Sequence, residues 1–308
     1  MGQNVKKDGF YANGKQRWFC KTCKSSFNWD NTSSKLYHEQ IWFERWIFEG
    51  YSVRQLVNQS GHSRAKIYRI IDYWLARFPP ESREQLSEFK YLVFDGTFLH
   101  RPTTIVVLMD ALANTVISGK FGTSEKSNSQ LIDFFQPLVN KGLDPISCTT
   151  DGNPNAIYVI KELWPNIIIQ RCLVHIQRQG LSWCRNYPKT AYARQLRNIF
   201  LRVCSIRSHQ DKERFIDTLV EWEEKYGDLV STGSNRGRVF SDIQRARSML
   251  IRALPDMFHY LDDPNIARTT NGLEGYHSRL KSHYRQHRGL SKEKRASYFA
   301  WYFYFRPK

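Results

Sequence analysis

Between residues 37 and 78 apolar side chains recur at helical spacing. Ile41, Trp42, Trp46 and Ile47 line one stripe, and Ile67, Ile70, Ile71 and Trp74 line another. Gly50 and Gly61 interrupt the pattern, and Ser52 and Ser63 stand where helix N-caps belong. The spacing predicts a helix ending at Gly50, a short helix over 53–59 and a longer one over 64–78, closed by Pro79-Pro80. A short helix, a glycine-containing turn and a longer helix make a helix-turn-helix pattern. Upstream, Asn13-Gly14 predicts a turn, followed by an aromatic strand at Arg17-Trp18-Phe19 within a segment that runs to Trp29.

From residue 90 the helical period gives way to continuous apolar runs. Residues 91–94 read as a buried strand ending at Asp95, 103–109 as a second strand and 115–121 as a third, with Asn114 at a tight connection. An amphipathic helix follows over 129–139, with Leu131, Phe134, Phe135 and Leu138 inward. Then come a strand over 146–150 ending at Asp151, a helix over 153–163, a strand over 167–169 and a helix after Cys172. Residues 189–260 lack strand patterning and read as all-helical, before a helix that begins near Asn271 and carries Glu274. Three antiparallel strands followed by helix–strand–helix–strand resemble the ribonuclease-H-like (retroviral-integrase-like) order, an α/β fold. The expected organisation is a small N-terminal segment over 1–35, a helix-turn-helix over 36–80, an α/β domain formed by 88–188 with 265–308, and a helical insertion over 189–264.

Charge sharpens this picture. The 308 residues carry a formal net charge of +17, and 41% are hydrophobic, as expected of an ordered chain. Residues 1–80 carry +7, residues 81–170 carry −3 and residues 171–308 carry +13. Basic flanks suit a polyanionic partner such as nucleic acid, and an acidic middle suits a divalent cation. The longest apolar stretch, 104–113, is short and broken by Asp110, so no membrane span is expected. Met1 leads directly into polar sequence, so no signal peptide is expected, and six irregularly spaced cysteines fit a reducing cytoplasm.

The candidate chemistry sits at strand ends. Asp95-Gly96 and Asp151-Gly152 each follow a buried strand, where a sheet would hold the carboxylate rigidly while glycine lets the backbone turn. Two such carboxylates brought together repel unless a cation lies between them, and hard divalent ions take oxygen ligands. Glu274 is the candidate third ligand, in the first turn of a helix that Thr269, Thr270 and Asn271 could cap. Leu273, Tyr276, Leu280 and Tyr284 would face the sheet, leaving Glu274, Ser278, Lys281 and Arg285 on the neighbouring face. Arg64, Lys66 and Arg69, near the start of the second helix-turn-helix helix, are candidates for DNA contacts. Cys20-x-x-Cys23 after an aromatic strand resembles one knuckle of a zinc ribbon. Structural zinc takes four ligands and no Cys or His precedes Cys20, so half a ribbon is expected, with zinc well below one per chain.

Together, FDGTFLH around Asp95, TTDGNPNA around Asp151, RCLVH at 171–175 and TTNGLEGYHSRLK around Glu274 resemble a Mutator-like (MULE-type) DDE transposase of a bacterial insertion sequence. The separations of 56 and 123 residues between the three acids agree with a helical insertion before the last. The resemblance implies that Asp95, Asp151 and Glu274 are the catalytic triad, binding two Mg²⁺ or Mn²⁺ ions. It also implies a role for His175, of the Cys172-x-x-His175 signature, near the substrate phosphate. Arg279, Lys281 and Arg285 would contact DNA. Implied partners are the terminal inverted repeats and the target DNA, held by a homodimer or larger assembly in the bacterial cytoplasm on the nucleoid. The missing first knuckle departs from the family pattern and leaves zinc open. Two other readings compete with strand transfer: a ribonuclease-H-like nuclease acting by hydrolysis alone, and an inactive DNA-binding remnant.

Overall fold

In the computed structural model, which describes residues 4–28, 32–81, 85–232, 237–287 and 289–305, the chain divides into two units, Met1–Arg77 and Phe78–Lys308. The first begins with a three-stranded antiparallel sheet, β1 (Val5–Phe10), β2 (Gln16–Cys20) and β3 (Ser26–Asn28), paired in chain order. Gly14, at a φ of 76°, makes the expected turn between the first two. The end of this segment, at Trp29, lies outside the described residues. Three helices follow, α1 (Thr32–Ile47), α2 (Val53–Ser60) and α3 (Arg64–Leu75). Ser52 and Gln55 close a reciprocal capping box on α2, Gly61 ends it in the left-handed conformation, and Ser63 caps α3. Trp46, Ile47, Ile67, Ile70 and Ile71 of the expected stripes are buried, together with Phe43, Leu56 and Leu75, whereas Ile41, Trp42 and Trp74 are only partly buried. The expected helix to Phe78 stops instead at Leu75. Phe78 precedes Pro79, whose ring disfavours helical geometry at the residue before it.

The second unit is built on a five-stranded mixed sheet. Its strands are β4 (Tyr91–His100), β5 (Thr103–Asp110), β6 (Val116–Phe121), β7 (Ser147–Thr150) and β8 (Ile168–Arg171), in the order β6-β5-β4-β7-β8. β4, β5 and β6 form an antiparallel meander, and β7 and β8 add in parallel. The parallel connections run through α4 (Asn128–Val139) and α5 (Pro154–Leu163), as such crossovers demand. Leu131, Phe134 and Phe135 of α4 and Val159 of α5 share a core with Phe94, Val106, Leu108 and Ile169 of the sheet. α6 (Leu173–Cys184), α7 (Ala191–Arg202), α8 (His209–Thr232) and α9 (Arg238–Ala253) gather a second core around Ile176, Phe200, Trp222 and Leu250. The chain then returns through α10 (Asn271–Arg285), which packs on β4, and α11 (Lys292–Tyr304), which packs on β6.

One expectation about the sheet is corrected. β4 does not end at Asp95 but runs on through Gly96 to His100. β5 pairs with it along that whole length, Asp95 opposite Val107 and His100 opposite Thr103. Its parallel partner β7 stops at Thr150, opposite Phe94. Asp95 is therefore the first residue of a central strand to lose its neighbour on one side, which opens its carboxyl to the sheet's end while the backbone stays fixed. Asp151 matches the expectation, for β7 ends there and Gly152 turns the chain at a φ of 96°.

The closing helix depends on one small residue. A Cβ at Gly119 would lie 2.3 Å from the Phe303 ring, and Phe121 stacks on Phe299 with ring centroids 4.8 Å apart. Gly119→Ala is expected to push α11 from β6 and to destabilise the unit by about 1–3 kcal/mol in urea unfolding, the usual cost of overpacking. An unchanged midpoint would mean that Phe303 moves aside freely.

Candidate active site

The alternation of a strand decides where Asp95 points. Leu92 and Phe94 enter the core beneath α4 and α5, so Val93 and Asp95 face the opposite side, toward α10. The Asp95 side chain is 10% exposed, and its Oδ2 lies 3.6 Å from Nε2 of His277. Asp151, just past β7, is held by a local turn. Its Oδ1 accepts the Asn153 N–H at 2.9 Å, and Asn153 in turn caps α5 through the N–H groups of Asn155 and Ala156. Gly152 lets the Arg171 guanidinium lie against the backbone, where a Cβ would come within 2.0 Å of it.

Glu274 reaches the same region because the start of α10 is stitched to the ends of β7 and β8. Thr149 Oγ1 donates to the Ala267 carbonyl at 2.6 Å, and Leu173 N–H to the Arg268 carbonyl at 3.1 Å. The Thr270 N–H donates to Cys172 Sγ at 3.3 Å. Of the expected caps, Thr269 Oγ1 accepts the Asn271 N–H at 3.5 Å, whereas Thr270, which stands at the N-cap of α10, makes no capping bond with its side chain. Its hydroxyl turns instead to Cys172 Sγ and to His175 Nδ1, at 3.5 and 3.3 Å. These tertiary partners outcompete the local cap. His175 Nε2 is 3.8 Å from Glu274, and Arg178, three residues further along α6, grips both Glu274 oxygens at 3.0 and 3.3 Å.

Three residues of this site were not legible in the sequence: Arg178, His277 and Glu125. Glu125 lies between β6 and α4, where its backbone carbonyl accepts a hydrogen bond from Asn155 Nδ2 at 3.2 Å. Its carboxylate lies over Gly96, so that a Cβ there would come within 2.1 Å of it. The glycine after Asp95 thus makes room for a second acid rather than a turn. That Asp-Gly pair was the available signal, but nothing local named the residue that fills the space.

The electrostatics are those of crowded acids. Burial pushes the Asp95 carboxyl up to about 7, helped by the charges of Asp151 and Glu274. Burial likewise pushes Glu125 up to about 8, with Asp151 and then Asp95 adding to it. His175 is raised to about 9, first by its hydrogen bond with Cys172 and, against the cost of burial, by the fields of Cys172, Asp95 and Asp151. His277 is the reverse case. Burial and then Lys281 lower it to about 4, so a neutral imidazole covers Asp95 at pH 7. Among the described residues no three His, Cys, Asp or Glu side chains form a ready metal-binding group, and Glu274 is engaged by Arg178.

Two open grooves border these residues. One, of about 350 Å³, is lined by Asp151, Arg171, His175, Arg178, Gln179 and Met249. The other, of about 340 Å³, is lined by Leu99, His100, Lys281, Tyr284, Arg285 and Arg295. Lys281 donates to Thr97 Oγ1 at 2.5 Å, and Arg279 is exposed on α10 outside this groove. In the N-terminal unit Arg64 and Arg69 are exposed, whereas Lys66 is tied to Glu39 by an ion pair. Cys20 and Cys23 are close enough to share a hydrogen bond, and Cys23 is lowered to about 7, chiefly by hydrogen bonds with Ser25.

Residues 85–247, just over half of the chain, match the family described as "Transposase, Mutator family". A stretch of 179 residues is 24% identical to the transposase for insertion sequence element IS905 of Lactococcus lactis subsp. lactis strain IL1403. That stretch covers 55% of this chain and 44% of the relative, so the match spans less than half of the relative's length.

Cys172→Ala is expected to strip the buried Thr270 N–H of its acceptor. The cost should be about 1–3 kcal/mol in chemical denaturation, with faster amide exchange over 267–275. Cys172→Ser, which keeps an acceptor, should recover part of the loss. Equal behaviour of the two variants would show that the sulfur contributes packing alone.

Proposed function

The chain belongs to the Mutator family of transposases, and from that premise we propose that it is a DNA transposase that cleaves at the ends of an insertion sequence and joins the freed 3′ hydroxyls to target DNA. The observation that carries this reading is the convergence of acids from three separate elements. Asp95 comes from β4, Asp151 from the end of β7 and Glu274 from the first turn of α10, and the fields of the latter two are felt at Asp95. Residues 88–188 and 265–308 are read as a ribonuclease-H-like domain with 189–264 inserted before the last acid. The strand order, an antiparallel meander extended by two parallel strands, supports that assignment.

The donor set suits Mg²⁺ or Mn²⁺. It is made of carboxylate oxygens, and the buried Asp95 carboxyl resists carrying its charge beside other acids, a cost that a dication would relieve. Asp95, Asp151 and Glu274 would hold the metal, two ions in the DDE pattern. Such ions, when bound, supply activation of the attacking oxygen and stabilisation of the leaving one. The protein's part is placement. β4 and the Asx turn after β7 fix the two aspartates, and Cys172 and Thr270 fix the start of the helix that carries Glu274. His175 and Arg178 bring positive groups to the groove that Asp151 also lines, where they would orient a scissile phosphate. Lys281 and Arg285 would follow the DNA backbone along the second groove, and the exposed Arg279 would contact DNA outside its lining.

In the N-terminal unit, α2 and α3 are read as a helix-turn-helix for the terminal inverted repeats, with exposed Arg64, resting on Tyr68, and exposed Arg69 as the base-reading residues and Lys66 occupied by Glu39. Cys20 and Cys23 are read as a partial zinc knuckle. Bringing two element ends together calls for a dimer or larger assembly on DNA.

Asp95→Asn, Asp151→Asn and Glu274→Gln are each expected to abolish cleavage and joining by the full chain in Mg²⁺, with circular dichroism unchanged. The substrate is duplex DNA carrying the element's ends, uncut or pre-cut to expose a 3′ hydroxyl. Near-wild-type activity in any variant removes that residue from the triad, and cleavage without joining removes strand transfer.

Arg64→Ala and Arg69→Ala should each weaken binding to element ends by about 1–3 kcal/mol in gel-shift titration, the worth of a base-reading contact. Binding to unrelated duplex should change little. Equal weakening on both DNAs would assign these arginines to phosphate.

A further inference from the structure

Glu125 is an acid that the DDE pattern does not use, placed over the residue after Asp95 and within the fields of both Asp95 and Asp151. Three observations fix it there. Its carboxylate rests on Gly96, the residue directly after Asp95, in space that any larger residue at 96 would occupy. Its loop is tied to the helix following Asp151, through the Asn155 side chain and the Glu125 carbonyl. Its Oε1 is buried and has no hydrogen-bond partner among the described residues.

A buried carboxylate oxygen without a partner is costly, and natural structures satisfy nearly all such groups. The groups around this one do not repay the cost. Asp151 and Asp95 repel it, and the charge of opposite sign acting on it comes from His175. Strand alternation explains why it does not merely duplicate Asp95. Asp95 faces the α10 side of β4, whereas Gly96 leaves its gap on the α4 and α5 side, where Glu125 enters. Acids therefore approach the end of β7 from both faces of the sheet. Hard divalent cations take several oxygen ligands, and carboxylates entering from both faces could supply them.

Resting on the metal-dependent reading above, we propose that Glu125 is a fourth carboxylate of the catalytic centre and contributes an oxygen ligand to the divalent cation held by Asp95 and Asp151. Gly96 is then the residue that admits it, and Asn155 a residue that positions its loop.

The test titrates the full chain with MnCl₂ and follows free Mn²⁺ by electron paramagnetic resonance, in parallel with cleavage of element-end DNA. Glu125→Gln keeps the shape and removes the charge. It should lower Mn²⁺ affinity about tenfold, in the range typical of perturbed metal sites, with cleavage recovering in part at high Mn²⁺. It should melt no lower than the wild type without added metal at pH 7, since burial and the neighbouring acids already hold that carboxyl up to about 8 and the amide replaces a group that is largely neutral there. Gly96→Ala, which displaces the carboxylate without removing it, should shift Mn²⁺ affinity in the same direction. Asp95→Asn is the reference. If Asp95→Asn loses Mn²⁺ affinity while Glu125→Gln binds like the wild type, Glu125 is not a ligand and the proposal is overturned alone. If Asp95→Asn and Asp151→Asn also bind Mn²⁺ like the wild type, the metal centre itself is misassigned, and the proposal falls with it.

Discussion

Asp151 and Glu274 act on the buried Asp95, Asp151 and Asp95 act on the buried Glu125, and the surrounding backbone holds these acids in place against that repulsion. Only Asp151 is held by a local turn; the other three are placed by their neighbours in the fold. Asp95 rides on the most constrained strand of the sheet, paired on both sides up to the residue before it and on one side thereafter. Asp151 is locked by the turn that starts α5. Glu125 is pressed onto Gly96 by a loop tied to the same helix. Rigid backbone on every side is what keeps like charges from relaxing apart.

Glu274 is the most distant in sequence and needs the most structure to arrive. Seventy-odd residues of helical insertion separate it from the sheet, and their own core around Trp222 and Phe200 makes that excursion a rigid body rather than a loose loop. The return is then sewn down over Ala267 to Thr270, by bonds to Thr149, Cys172 and Leu173 at the ends of β7 and β8. In this light the Cys172-x-x-His175 pair is first a docking device. The sulfur accepts from the backbone of Thr270, and the imidazole bridges Thr270 to Glu274.

Nitrogen-bearing side chains meet the cluster at graded depth, charged only on its open side. His277, buried and neutral, covers Asp95 without adding charge, while His175 and the exposed Arg178 carry positive charge to the open side. A charged His277 would neutralise Asp95 outright, so its burial preserves the acid's freedom to meet another partner.

Much of this was legible in the sequence. Periodicity alone outlined the helices of the first unit, because Ser52, Gly61 and Ser63 punctuate them through bonds to residues three or four positions away. It outlined the order of strands and helices in the second unit for the same reason, and it singled out Asp95, Asp151 and Glu274 by their place beside strand ends and a helix start. Tertiary structure alone decided that β4 runs past Asp95, since pairing with β5 overrides the glycine, and that Thr270 turns from its own helix to Cys172. It alone brought in Glu125, His277 and Arg178. A capping bond or an apolar stripe is written within a few residues of chain. A carboxylate that fills the space left by a glycine 29 positions earlier is written only in the packing of a sheet against its neighbours.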